Sequence, residues 1–147
     1  MDLLNPSSKN YKLSHAGTFN GNPLTMEAGT VVMEELTDEK YKKMNTLGDD
    51  LRSKLNSIFN ELEINAQITG IGSLFGINFN ENKIKDYRSF IKNDSLLTKI
   101  LFMGSINNGI LMQTKNAGAL NTLSSELEIT KLEESTRTIA TEIKSNI

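Results

Sequence analysis

The chain has 147 residues, enough for one compact unit with a real core. Its net charge is −2 with acidic and basic residues interspersed, so it has no basic patch of the kind nucleic-acid binding requires. Cysteine is absent and His15 is the single histidine, which excludes a disulfide framework and Cys- or His-rich metal clusters. No apolar run approaches the roughly 18 residues that span a membrane, and the N-terminus has no signal pattern, so the expected compartment is cytoplasmic.

Residues 1–22 lack periodicity and read as loop, with Asn5-Pro6-Ser7-Ser8 as a turn cluster. A helix is predicted from Pro23 to Leu36, with Leu24, Ala28, Val31, Val32 and Leu36 on one apolar stripe. A long amphipathic helix is predicted over 38–63, carried by Tyr41, Met44, Leu47, Leu51, Leu55, Ile58, Phe59 and Leu62. Gly48 interrupts it and reads as a close helix contact, since glycine there costs about 1 kcal/mol relative to alanine. Ala66 to Phe79 alternates Leu74, Gly76 and Asn78 against Phe75, Ile77 and Phe79, which predicts one or two strands.

Asn80-Glu81-Asn82-Lys83 reads as a turn, and 84–93 as a mobile connection. Asp94 or Ser95 caps a predicted helix to about Asn107 that buries Leu96, Leu97, Ile100, Leu101 and Met103, and Asn108-Gly109 ends it. Strands are predicted at Ile110–Gln113 and Leu120–Leu123, with a loop at Thr114–Ala119 between them. Ser125 to Ile147 reads as a closing helix on Leu127, Leu132, Ile139 and Ile143. Helices followed by strands mixed with helices predict an α+β layer, a small sheet covered on one face.

Most single residues that stand out have ordinary readings. Met33, Met44, Met103 and Met112 are expected in the core. Glu34-Glu35 reads as a solvated helix end. Arg52 and Arg137 are expected on the surface, and Arg88 sits in the irregular segment as a possible carboxylate partner. His15 reads as a hydrogen-bonding loop residue.

The densest signal is His15-Ala16-Gly17-Thr18-Phe19-Asn20-Gly21-Asn22-Pro23, which runs directly into a helix. Gly17 and Gly21 permit positive φ, Asn22 suits an N-cap and Pro23 suits the first helical turn. A hydroxyl and N–H groups just before a helix start suit an anion such as phosphate. An ordinary loop–helix junction has the same composition.

As a whole, Gly-Thr-Phe-x-Gly-Asn-Pro-Leu-x-Met resembles the active-site segment of class III pyridoxal-phosphate-dependent aminotransferases, in the glutamate-1-semialdehyde 2,1-aminomutase branch. Gly70 to Phe79 and Asn108-Gly109-Ile110-Leu111-Met112 are similar to two later strands of that branch. The resemblance implies the small C-terminal domain of a fold-type I transferase: 1–22 as an active-site loop left from the large domain, 23–37 as a connecting helix, 38–147 as the small domain. It also implies an amino-group transfer through a Schiff base, pyridoxal 5'-phosphate as cofactor, a small amino-acid-type substrate and a homodimer. By the same resemblance Thr18 holds the cofactor phosphate across the dimer interface, with Gly17 beside it. Phe19 to Asn22 shape that contact.

The family's cofactor lysine lies a few dozen residues before this segment. Lys9 and Lys12 are the only lysines upstream of the motif, both nearer than that. The chain is therefore expected to be a C-terminal part without a catalytic residue, inactive alone. One departure concerns substrate. Where the branch carries Phe-Glu-Ala-Gly-Phe, this chain reads Lys115-Asn116-Ala117-Gly118-Ala119, placing Asn116 at a substrate-proximal position and opening the way to a different amino donor. A non-catalytic interaction module would explain the periodicity but not the motif. A P-loop would need a lysine after its glycines, where this chain has Asn22-Pro23.

Overall fold

The computed structural model describes residues 2–10, 12–13 and 17–146. The chain divides into two compact units, residues 1–37 and 38–147.

In the first unit, turns lead to helix α1, Pro23–Glu35. The Asn5 cluster forms a turn, with Asn5 Oδ1 accepting from the Ser7 N–H at 3.0 Å. None of the α1 residues is buried. Leu24, Met26, Val31, Val32 and Met33 are all exposed, so the predicted stripe is not buried within its own unit, and Met33 is not a core residue.

The second unit begins with α2, Asp38–Glu61, followed by strands β1 (Gln67–Thr69) and β2 (Leu74–Asn78). A short helix α3 (Tyr87–Phe90), α4 (Ser95–Asn107), strand β3 (Ala117–Ala119) and α5 (Glu126–Ser145) complete it. The three strands form one antiparallel sheet in the order β1-β2-β3, with Ile68 opposite Ile77 and Phe75 opposite Gly118. Helix α2 packs on β1 and β2 and on α5, and α5 packs on α4. A mixed α+β layer results.

Met44, Leu47, Leu51, Leu55, Ile58 and Phe59 fall every three or four residues along α2 and are all buried, the arrangement an amphipathic stripe dictates. All but Met44 share one core with Phe75 and Ile77 of β2, Phe79 just beyond it, and Ile129, Leu132, Ile139 and Ile143 from α5. Phe59 and Phe79 meet edge to face, their ring centroids 5.7 Å apart. Burying each such side chain contributes about 1.5–3 kcal/mol.

Several sequence expectations are corrected. Helix α4 is apolar nearly all round, and it buries only Leu101 and Ser105; Leu96, Ile100 and Met103 are exposed. Its seat on α5 is marked by a small residue instead: a Cβ at Gly104 would lie 2.9 Å from Ile139 Cδ1. Met112 is only partly buried against the core, and Leu127 is exposed.

The segment predicted as a mobile connection is tied down. Asp86 caps α3 in a reciprocal capping box with Ser89, and Asn93 Nδ2 donates to Asn78 Oδ1 at 2.9 Å. Ile110–Gln113 joins no ladder, although Gln113 N–H donates to the Ala117 carbonyl at 3.1 Å. The last strand lies three residues earlier than predicted. Asn121 closes a turn by accepting from the N–H groups of Leu123 and Ser124, which removes 120–123 from the sheet. Gly118 sits where a Cβ would come within 2.5 Å of the Phe75 ring, so this register suits only a small residue.

Candidate functional site

The loop before α1 is built from two overlapping turns. Asn20 N–H donates to the Gly17 carbonyl at 3.1 Å, and Asn22 N–H to the Phe19 carbonyl at 3.2 Å. Gly21 takes the left-handed conformation, φ 72°, that its lack of a side chain permits. Gly17 stands at the start of the first turn. Its missing side chain serves another purpose: the Asn20 carboxamide occupies that space, with Oδ1 2.7 Å from where a Cβ would stand.

Asn22 caps α1 as its residue type predicts. Its Oδ1 accepts from the N–H groups of Leu24 and Thr25 at 3.1 and 3.2 Å, and Pro23 opens the first turn. The chain's own cap therefore occupies two of the helix N–H groups that the sequence left open for an anion. What remains for an anion lies one turn earlier. Thr18 is exposed, and among the described residues its hydroxyl and N–H make no hydrogen bond. An exposed hydroxyl and N–H at the tip of a turn held by its own backbone fit one edge of a phosphate, whose charged oxygens make the stronger class of hydrogen bond. His15 lies outside the described residues.

Asn116 belongs to the second unit. It is wholly buried and takes φ 55°, one of two non-glycine residues with positive φ among those described. Its Nδ2 donates to the Thr98 carbonyl of α4 at 3.0 Å, and its carbonyl accepts from Ile77 N–H at 3.0 Å. Among the described residues its Oδ1 has no partner. The side chain thus joins α4 to the turn before β3, while Phe75, Met112, Gln113 and Ala117 nearby line an open groove of ≈ 620 Å³.

The structure holds other polar side chains in place that the sequence did not single out. Asn78 Nδ2 donates to Thr69 Oγ1 at 2.9 Å, and Asn80 Nδ2 to Asn93 Oδ1 at 3.1 Å, so a ladder of asparagines links the sheet to α3 and α4. The run of asparagines at 78, 80, 82 and 93 was its only signal. Arg52, expected on the surface, has its side chain only 12% exposed and donates to the carbonyls of Gly72 and Leu74, each at 2.7 Å, while also pairing with Asp49. Gly48 lies beside it. Its Cβ would fall 2.0 Å from the Gly72 carbonyl oxygen, so the close approach is to the β1–β2 turn and not to another helix. Arg137 is a surface residue as expected, paired with Glu61 at 2.6 Å.

The resolved pKa shifts are structural in cause. The Ser89 N–H and hydroxyl hold the Asp86 carboxyl below its ordinary range, and the Ser125 hydroxyl and N–H do the same for Glu128. Asp50 raises Lys54, and Glu61 raises Arg137. Among the described residues no group of acidic, His or Cys side chains could hold a metal ion, and no helix is long and apolar enough to cross a membrane.

The family model for class III aminotransferases matches residues 1–132. The chain is 32% identical over 112 residues to the glutamate-1-semialdehyde 2,1-aminomutase of Methanosphaera stadtmanae, covering 76% of this chain and 26% of that protein. It therefore spans about a quarter of the length of the curated relatives it matches. Among solved structures, a β-phenylalanine aminotransferase from Variovorax paradoxus superposes with a TM-score of 0.79 at 26% identity, over 97% of this chain and 33% of that one. A transaminase solved with PLP bound superposes with a TM-score of 0.76 at 23% identity, over 99% of this chain and 33% of that one, which shows the shared fold. With the turn, the α+β layer and the order of segments all in place, the chain belongs to the class III aminotransferase family, whose cofactor is pyridoxal phosphate.

Proposed function

We propose that this chain is the C-terminal part of a pyridoxal-phosphate-dependent enzyme that moves an amino group, an aminomutase or aminotransferase acting on a small amino-acid-type substrate as a cytoplasmic homodimer. The observation that carries the reading is Thr18: exposed, unengaged among the described residues and set at a turn tip in the segment the family model matches. When bound, the cofactor supplies the electron sink for the transfer. This chain's own part is binding and orientation. The Thr18 hydroxyl and N–H would donate to phosphate oxygens in the partner's site, and Gly17 beside them lets the Asn20 carboxamide fold over the turn. Asn22 and Pro23 fix the direction in which the turn leaves α1. Asn116 acts near the substrate by holding the turn before β3 through Thr98, not by touching the substrate.

A donor other than the semialdehyde is supported by that same residue. The position that would carry the branch's glutamate is fully buried here and held by a neutral amide. A carboxylate there would lose its hydration without a charged partner.

On this reading the chain alone has no transferase activity, because the cofactor lysine and the large domain are supplied from elsewhere. The test is an amino-transfer assay of the purified chain with pyridoxal phosphate, an amino donor and a keto acceptor. No turnover is expected. Turnover above the rate of free cofactor would show that the chain carries its own catalytic lysine and overturn the reading.

A further inference from the structure

Two Asn-Gly steps occur in the chain, at 20–21 and 108–109. At such a step the glycine nitrogen reaches the preceding carboxamide carbon with no side chain in the way. The two steps have the same backbone at glycine, φ 72° at Gly21 and 75° at Gly109, and both asparagines are exposed. They differ in their hydrogen bonds. Gly109 N–H donates to the Ile106 carbonyl at 2.9 Å, and Asn108 Nδ2 donates to Ser135 Oγ at 3.0 Å. Both groups that must move are therefore held, one by the end of α4 and one by α5. At the first step neither is held. Among the described residues, Gly21 N–H and the Asn20 carboxamide make no hydrogen bond.

We propose that Asn20 is a site of spontaneous amide hydrolysis in the folded chain, and that the fold shields the identical step at Asn108. The Gly21 nitrogen gives its proton to hydroxide and bonds to Asn20 Cγ. The bond from Cγ to the side-chain nitrogen breaks, and ammonia leaves with a proton from water. Water then opens the five-membered imide at either carbonyl, leaving aspartate or isoaspartate. One water is consumed, one ammonia is released and nothing is oxidised or reduced.

The consequence, though not the reaction, rests on the function proposed for Thr18. The Asn20 carboxamide lies over Gly17, so a carboxylate in its place would stand beside any anion held at Thr18. The isoaspartyl product also lengthens the turn backbone by one methylene. The turn would then lose phosphate affinity as the protein ages.

The test is peptide mass spectrometry, with enzymatic isoaspartate labelling, of the native chain during incubation at mildly alkaline pH, in parallel with the chain in strong denaturant. In the folded chain, conversion at 20 should exceed that at 108 by at least about tenfold, since two hydrogen bonds must be given up at the second step. In denaturant the two rates should converge. Equal rates in the folded chain, faster conversion at 108, or no conversion at 20 while the unfolded chain converts would each overturn the proposal. Ser135→Ala should raise the rate at 108 alone. If position 20 converts but Asn20→Asp leaves the cofactor affinity of the parent enzyme unchanged, the phosphate role of this turn fails and the modification site stands.

Discussion

At the scale of single residues, the tightest constraint outside the motif is the junction of Gly48 and Arg52 with the turn between β1 and β2. Glycine in the middle of a helix is ordinarily a liability, and replacing it with alanine in an exposed helix stabilises by about 1 kcal/mol. Here the sign should reverse. A Cβ at 48 would lie 2.0 Å from the Gly72 oxygen, so Gly48→Ala should destabilise by about 1–3 kcal/mol in denaturant unfolding. Arg52→Ala should lower stability by a similar amount, about 1–3 kcal/mol, because it leaves two carbonyls without their donor. A stabilised Gly48→Ala would show that the turn does not approach the helix. Arg52 was illegible in the sequence for a physical reason. A helix pattern gives its face but not the carbonyls of a turn twenty residues away. Asn22 was legible because a cap acts within three residues of itself, and Gly21 because turn geometry is equally local.

At the scale of elements, helices with alternating polar and apolar faces were legible and the rest was less so. Helix α2 follows its apolar spacing almost residue for residue, because one face alone can be buried. Helix α4 does not, because it is apolar nearly all round and spacing cannot choose among its faces; Gly104 chooses by letting Ile139 close in. Strand β3 was misplaced because the small residues Ala117-Gly118-Ala119 carry no strand propensity of their own and pair only because Phe75 needs the space.

The helix starts carry a pH dependence. The carboxyls of Asp86 and Glu128 are held below their ordinary values, 3.8 and 4.5, by the caps they form. A carboxyl with a lowered folded-state pKa contributes stability that is fully present above its unfolded value and is lost as the pH falls through the folded one. Glu128→Ala should therefore lower the melting temperature at neutral pH, and its gap to the wild type should close as the pH is taken below 4.5. A gap that does not change on acidification would mean that the Glu128 carboxylate does not support the α5 cap.

At the scale of the whole molecule, the chain is two units with different characters. Among the described residues the buried core lies in 38–147, while α1 buries nothing and exposes Leu24, Met26, Val31, Val32 and Met33. The family match crosses both units, to residue 132, and the matched stretch covers about a quarter of the relative's length. The motif at 17–23 was legible as a segment because its residue types are tied to a turn and a cap. Its partner is not legible, because an exposed hydroxyl says nothing by itself of what it binds. The central claim is that this turn holds the cofactor phosphate. It is tested most directly by titrating pyridoxal phosphate into the apo form of the full-length parent and of its Thr18→Ala variant, with thermal melts of both apo forms. Loss of one charge-assisted hydrogen bond should weaken binding by roughly 1.5–3 kcal/mol, about ten- to a hundredfold, with the apo melting temperature unchanged. Equal affinities would contradict the claim and leave Thr18 as a loop hydroxyl.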